Sequence, residues 1–203
     1  MRNLYEKLKE YVSTRDERAL KRSAIISTVM FSLLLVWVLF FKLGISKLIY
    51  QNYINISQFT FKERFLYDII PFNLHNRNII NQILDIICNC FVLAPFGVFF
   101  RTLFSKKNLV RDLSLCFFIS LAAEITQLFT MLGGFATVDL ITNTIGCLVG
   151  TLFYEILLER MKTEGRVRFY RIINLIMLPI MVYAIYTFVD NFELIMAVLT
   201  RSI

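Results

Sequence analysis

Five stretches of this chain, near residues 24–43, 79–100, 113–131, 138–158 and 172–189, are apolar for about the 20 residues that a helix needs to cross a lipid bilayer. In lipid every backbone N–H and C=O must find its partner within the segment, so such runs fold as helices. The composition agrees. Hydrophobic residues make up 57% of the 203 residues, above the roughly 45–50% of a soluble domain. The sequence therefore predicts an all-α fold, a polytopic integral membrane bundle of about five transmembrane helices. The first run follows a polar, mixed-charge segment with no small-residue cleavage site, which predicts a retained helix rather than a signal peptide.

The net charge of +7 is distributed as membrane topology requires, which sets aside a nucleic-acid partner. Arg2, Lys7, Lys9, Arg15, Arg18, Lys21 and Arg22 precede the first run. Arg101, Lys106, Lys107 and Arg111 flank the second connection, and Arg160, Lys162, Arg166, Arg168 and Arg171 follow the fourth run. A chain threading five times puts all three groups on one side, and the positive-inside rule makes that side cytoplasmic. Residues 1–23 are then a basic cytoplasmic segment and 24–158 a four-helix core. Residues 159–203 form a basic loop, a fifth helix and an external tail. The long connection at 44–78 faces outside, and its aromatic and charged stretch at 59–72 suits the headgroup zone.

Polar residues within the apolar runs mark the candidate site. Asp85 and Asn89 lie on the second helix, Glu124 and Gln127 on the third, and Asp139 and Asn143 on the fourth, each pair sharing a face. Alternating helix directions bring all six to the outer half of the membrane, within roughly 15 Å of depth at about 1.5 Å per residue. A carboxylate at such depth needs a partner or a wet cavity, so the pattern predicts a polar outer-leaflet pocket. The bland alternative is a network that only clamps helices together. The inner halves of helices two to four show few polar residues, which argues against transport.

Pro95 and Pro179 should kink their helices without breaking them. Gly146 and Gly150 form a Gly-x-x-x-Gly face for close internal packing. Cys88, Cys90, Cys116 and Cys147 all fall in apolar runs with no Cys-x-x-Cys spacing, and they read as buried thiols. With a single histidine, His75, no metal site and no cofactor are expected. Glu124 and Asp139 could in principle act as acid and base, but no Ser/His/Asp set accompanies them, so the enzyme case is weak.

Four stretches resemble the VanZ-like family of bacterial membrane proteins: Asp68-Ile-Ile-Pro-Phe72; Asn89-Cys-Phe-Val-Leu-Ala-Pro95-Phe-Gly97; Glu124-Ile-Thr-Gln127; and Asp139-Leu-Ile-Thr-Asn143-Thr-Ile-Gly146-Cys-Leu-Val-Gly150. They occur in the family's order and spacing over residues 68–150. The family's arginine shortly after Glu-x-x-Gln has no counterpart in the loop Gly133-Gly-Phe-Ala-Thr-Val-Asp139. The resemblance implies a multi-pass protein of the bacterial cytoplasmic membrane that contributes to resistance to glycopeptides, teicoplanin more than vancomycin. Its expected partners are membrane lipids and a lipoglycopeptide antibiotic or lipid-linked cell-wall precursor. The rival reading is a membrane enzyme acting on a lipid or lipid-linked precursor with Glu124 and Asp139 as acid and base.

Overall fold

A computed structural model describes residues 2–41, 79–104, 106–130 and 135–190, with 60, 62, 192, 193 and 196 as isolated positions. Most of the 44–78 connection, including residues 68–72 and His75, lies outside the described residues, as does the C-terminal tail. The described residues form five α-helices: α1 (Arg2–Phe41), α2 (Ile79–Leu103), α3 (Leu109–Thr130), α4 (Thr137–Phe153) and α5 (Thr163–Asp190). The described part of each of the five apolar runs is helical. Among the described residues α1, α2, α4 and α5 are long and apolar enough to cross a membrane.

Two helices, α1 and α5, start well before their apolar runs. The polar N-terminal segment continues α1 in one piece, because extending an existing helix avoids the cost of nucleation. The basic loop expected before the fifth helix is mostly helix as well. α5 begins at Thr163, where Val167 and Tyr170 are buried in the core. Packing there outweighs the flanking arginines.

The helix directions follow from side-chain register. Asn89 meets Asp139 and Arg101 meets Glu155, so α2 and α4 run parallel. Ser120 meets Asn143 while Glu124 meets Ala136, so α3 runs against α4. Ser27 Oγ donates to Asn174 Oδ1 (2.6 Å), and Trp37 Nε1 donates to Thr187 Oγ1 (2.9 Å), pairing α5 in parallel with α1. The ends of α2 and α4 and the starts of α3 and α5 therefore gather at one end of the bundle. That end carries the basic groups of the α2–α3 and α4–α5 connections.

Close approach of α2 and α4 rests on small residues. A Cβ at Gly97 would fall inside 3.0 Å of the Cys147 carbonyl and the Thr151 nitrogen. One at Gly146 would strike the Cys90 backbone, and one at Gly150 the Ala94 backbone. The Gly-x-x-x-Gly face of α4 is thus used within the chain, against a complementary Cys90, Ala94, Gly97 face on α2. Pro95 sits one residue beyond Ala94 inside a continuous α2, and Pro179 inside a continuous α5. Beside this seam Phe31 of α1 packs edge-on against Phe96 and Phe99, with centroids 5.9 Å apart in both pairs.

α4 ends in a π-helical turn, Tyr154–Leu158, in which Glu159 N donates to Tyr154 O (2.8 Å). Just beyond it, Lys107 pairs with Glu159 across the connections. The Lys107 hydrogen bond holds the Glu159 carboxyl below its ordinary value of 4.5. A depressed folded pKa gives stability that is present above about 4.5 and lost as pH falls through the lowered value. Both side chains are exposed, so the effect is small. Glu159→Gln should leave the thermal midpoint near pH 7 almost unchanged and flatten its decline below pH 4.5. A melt series across that range checks this, and an unaltered decline would remove the pair from any acid response.

Candidate functional site

Glu124 lies in the last turns of α3 with only 4% of its surface exposed. Its Oε2 accepts a hydrogen bond from the Ala136 backbone nitrogen (2.8 Å). Ala136 is the extended N-cap of α4 (φ −113°, ψ 110°) and offers no side-chain cap of its own. The carboxylate therefore satisfies a backbone donor where the chain enters α4, a point at which negative charge is favoured by the helix dipole. Buried acid and loop geometry are thereby coupled.

Three residues later Asp139 occupies the first turn of α4. Its Oδ1 accepts from Asn89 Nδ2 of α2 at 2.6 Å. One turn deeper on the same face, Asn143 Nδ2 donates to Ser120 Oγ of α3 (2.9 Å), while Asn143 Oδ1 is buried with no hydrogen-bond partner. α4 is the hub: Asp139 ties it to α2, and Asn143 and Ala136 tie it to α3. The cluster sits at the end of the bundle opposite the basic connections.

Of the six residues expected at the site, Asn89, Glu124, Asp139 and Asn143 take part in these bonds. Gln127 is half-buried one turn beyond Glu124, and Asp85 is exposed one turn beyond Asn89. The bonds are direct ones between helices, which is the geometry of a clamp as much as of a binding surface. Gly97, Gly146 and Gly150 hold α2 and α4 close enough for the Asn89–Asp139 contact.

Sequence reasoning missed a second polar centre. At the basic end Arg101 forms ion pairs with Asp112 Oδ2 (3.3 Å) and Glu155 Oε1 (3.0 Å), and Arg111 pairs with Asp112 Oδ1 (2.7 Å). Asp112 is fully buried. Nearby, Thr102 Oγ1 and the Tyr170 hydroxyl share a hydrogen bond of 2.5 Å, and Arg166 donates to the Tyr154 hydroxyl (3.1 Å). These groups gather at the basic ends of the helices, mostly just outside the apolar runs 79–100, 113–131 and 138–158 read from the sequence. The signal was the spacing Asp112, Cys116, Ser120, Glu124. These lie four residues apart on α3, and all are buried along the ridge that such spacing makes. On that stripe Cys116 is joined to Cys147 of α4 as a disulfide with Cα atoms 6.3 Å apart, not as two separate buried thiols.

No group of three or more His, Cys, Asp or Glu that could hold a metal occurs among the described residues. The VanZ/LLP1 family profile matches residues 28–158, which takes in α2, α3, α4 and the C-terminal part of α1. Comparison with curated proteins and with solved structures finds no match. The match spans more than half of the chain, includes every residue of the Asn89–Asp139–Glu124–Asn143 cluster, and leaves α5 outside. This membrane protein belongs to the VanZ/LLP1 family.

Proposed function

We propose that the protein acts in the bacterial cytoplasmic membrane as a multi-pass envelope protein that lowers the binding or access of teicoplanin-type lipoglycopeptides at the outer surface. The observation that carries this reading is the joining of Asn89, Glu124, Asp139 and Asn143 from three helices at the end opposite the basic connections. The positive-inside rule makes that end external, where such antibiotics meet lipid-linked cell-wall precursor. Membership of a family linked to glycopeptide resistance supports the same direction. In this reading Glu124 and Asp139 engage a polar or cationic group of the ligand, and Gln127, Asn89 and Asn143 orient it. Asp85 faces the membrane surface above them.

The test is expression in a susceptible Gram-positive host, comparing teicoplanin with vancomycin. Glu124→Gln and Asp139→Asn serve as variants at matched membrane levels. Protection against teicoplanin exceeding that against vancomycin, and lost in both variants, is the expected result. Full protection in both variants would overturn the role of the cluster. Altered lipid-linked products in membrane extracts, lost with Glu124→Gln, would instead favour an enzyme with these two acids as acid and base.

A further inference from the structure

Between the polar half of α1 and the start of α5 lies an open groove of about 300 Å³, at the bundle end where the basic connections gather. It lies wholly outside the residues that match the family. Arg15 reaches it from α1, and Arg168 and Arg171 from α5, with Ala19 and Val167 as its apolar floor. Asp16 and Glu164 also line it. No ion pair joins these five charged side chains to one another among the described residues. The three guanidinium groups are exposed, and each keeps planar donors free for an oxyanion.

Both helices run from the groove directly into apolar surface. On α1 Ile25, Ile26 and Val29 are exposed, and on α5 Ile172, Leu175 and Ile176 are exposed. A ligand with an anionic head and hydrocarbon tails matches that sequence of surfaces. We propose that the α1–α5 groove binds the phosphate of an anionic phospholipid with a hydroxylated head group. The three arginines hold the phosphate, and the hydroxyls donate to Asp16 and Glu164. Basic pockets between helices at the cytoplasmic face suit this chemistry. The site is independent of the Glu124 cluster and of any antibiotic.

The full-length protein, extracted in detergent from nanodiscs of phosphatidylglycerol or phosphatidylcholine, is weighed by native mass spectrometry for retained lipid. Wild type should retain phosphatidylglycerol over phosphatidylcholine. Retention should fall on the order of fivefold for each arginine changed in Arg15→Gln, Arg168→Gln and Arg171→Gln, singly and together. Lys106→Gln with Lys162→Gln, which removes exposed charge at the same end outside the groove, should retain lipid as wild type does. Equal retention of the two lipids, or an equal loss in the lysine control, would overturn the site. Inorganic phosphate provides the last arm. If it stabilises wild type against heat, spares the triple variant and displaces the lipid, the ligand is a soluble phosphate and the lipid assignment falls. The single variants keep the test valid should the triple variant misfold.

Discussion

Gly150→Leu should leave almost no folded protein, and Gly150→Ala should lower stability even though alanine is the better helix former. The Cβ of either residue would be driven into the backbone of Ala94, which cannot rotate away as a side chain can. α2 and α4 would have to part, and their separation would stretch the Asn89–Asp139 and Arg101–Glu155 contacts at either end of the interface. Overpacking typically costs about 1–3 kcal/mol, sometimes more, and a backbone obstacle puts this case at the upper end. The propensity gain of alanine, about 1 kcal/mol, offsets only part. Gly165→Ala supplies the opposite sign. There the added Cβ meets the flexible Met161 Cε at 3.2 Å, so the gain in propensity should dominate and the variant should equal or exceed wild type. Size-exclusion chromatography of heated, detergent-extracted protein measures all three. A Gly150→Ala variant surviving as high a temperature as wild type would mean that the α2–α4 seam is looser than its backbone spacing shows.

The same seam shows how far sequence could go. The Gly-x-x-x-Gly pair and its internal use were legible, because small residues at helical spacing matter only where another helix approaches. Its partner face, Cys90, Ala94 and Gly97, carries the same small-residue spacing less plainly, since cysteine reads first as chemistry. The alignment of Asn89, Glu124, Asp139 and Asn143 was legible too, as alternating helix direction fixes depth by counting residues. What counting cannot fix is rotation about each axis. Asp85 shares a face with Asn89, yet it is exposed while Asn89 bonds Asp139 of α4. The extent of α1 and α5 was hidden for another reason. Their polar turns have no apolar run to announce them and are held by what they touch, as Tyr170 is by Thr102.

The pairing at the basic end was not legible because a topology count takes each flanking Lys or Arg by itself. Arg101, Asp112 and Glu155 sit at the ends of three different helices, and only the folded arrangement brings them together. Burial changes their energetics. An exposed pair such as Lys107–Glu159 is screened by salt and contributes little. A buried one is costly to break from one side, because the surviving charge is left without compensation.

Arg101 is therefore the second position where a single change should be severe. Its side chain is 4% exposed and bridges Asp112, with no exposure, to Glu155, with 35%. Arg101→Met leaves Asp112 with Arg111 alone, while Glu155 can turn towards water. Breaking a buried pair costs about 3–5 kcal/mol, and the remaining Arg111 contact places this loss towards the lower bound. Asp112→Leu should also destabilise, since Arg101 already has a buried Nη1 without a hydrogen-bond partner. The double variant Arg101→Met with Asp112→Leu removes both charges together. Its loss should fall short of the sum of the two single losses by about 0.5–3 kcal/mol, the range expected for groups in direct contact. Raised salt should leave that coupling nearly intact, as burial limits screening. Thermal midpoints of the two single variants and the double variant, at low and high salt, give the cycle. Strictly additive losses would mean that Arg101 and Asp112 stabilise the bundle separately and that the joined charges at this end are not what holds α2 to α3.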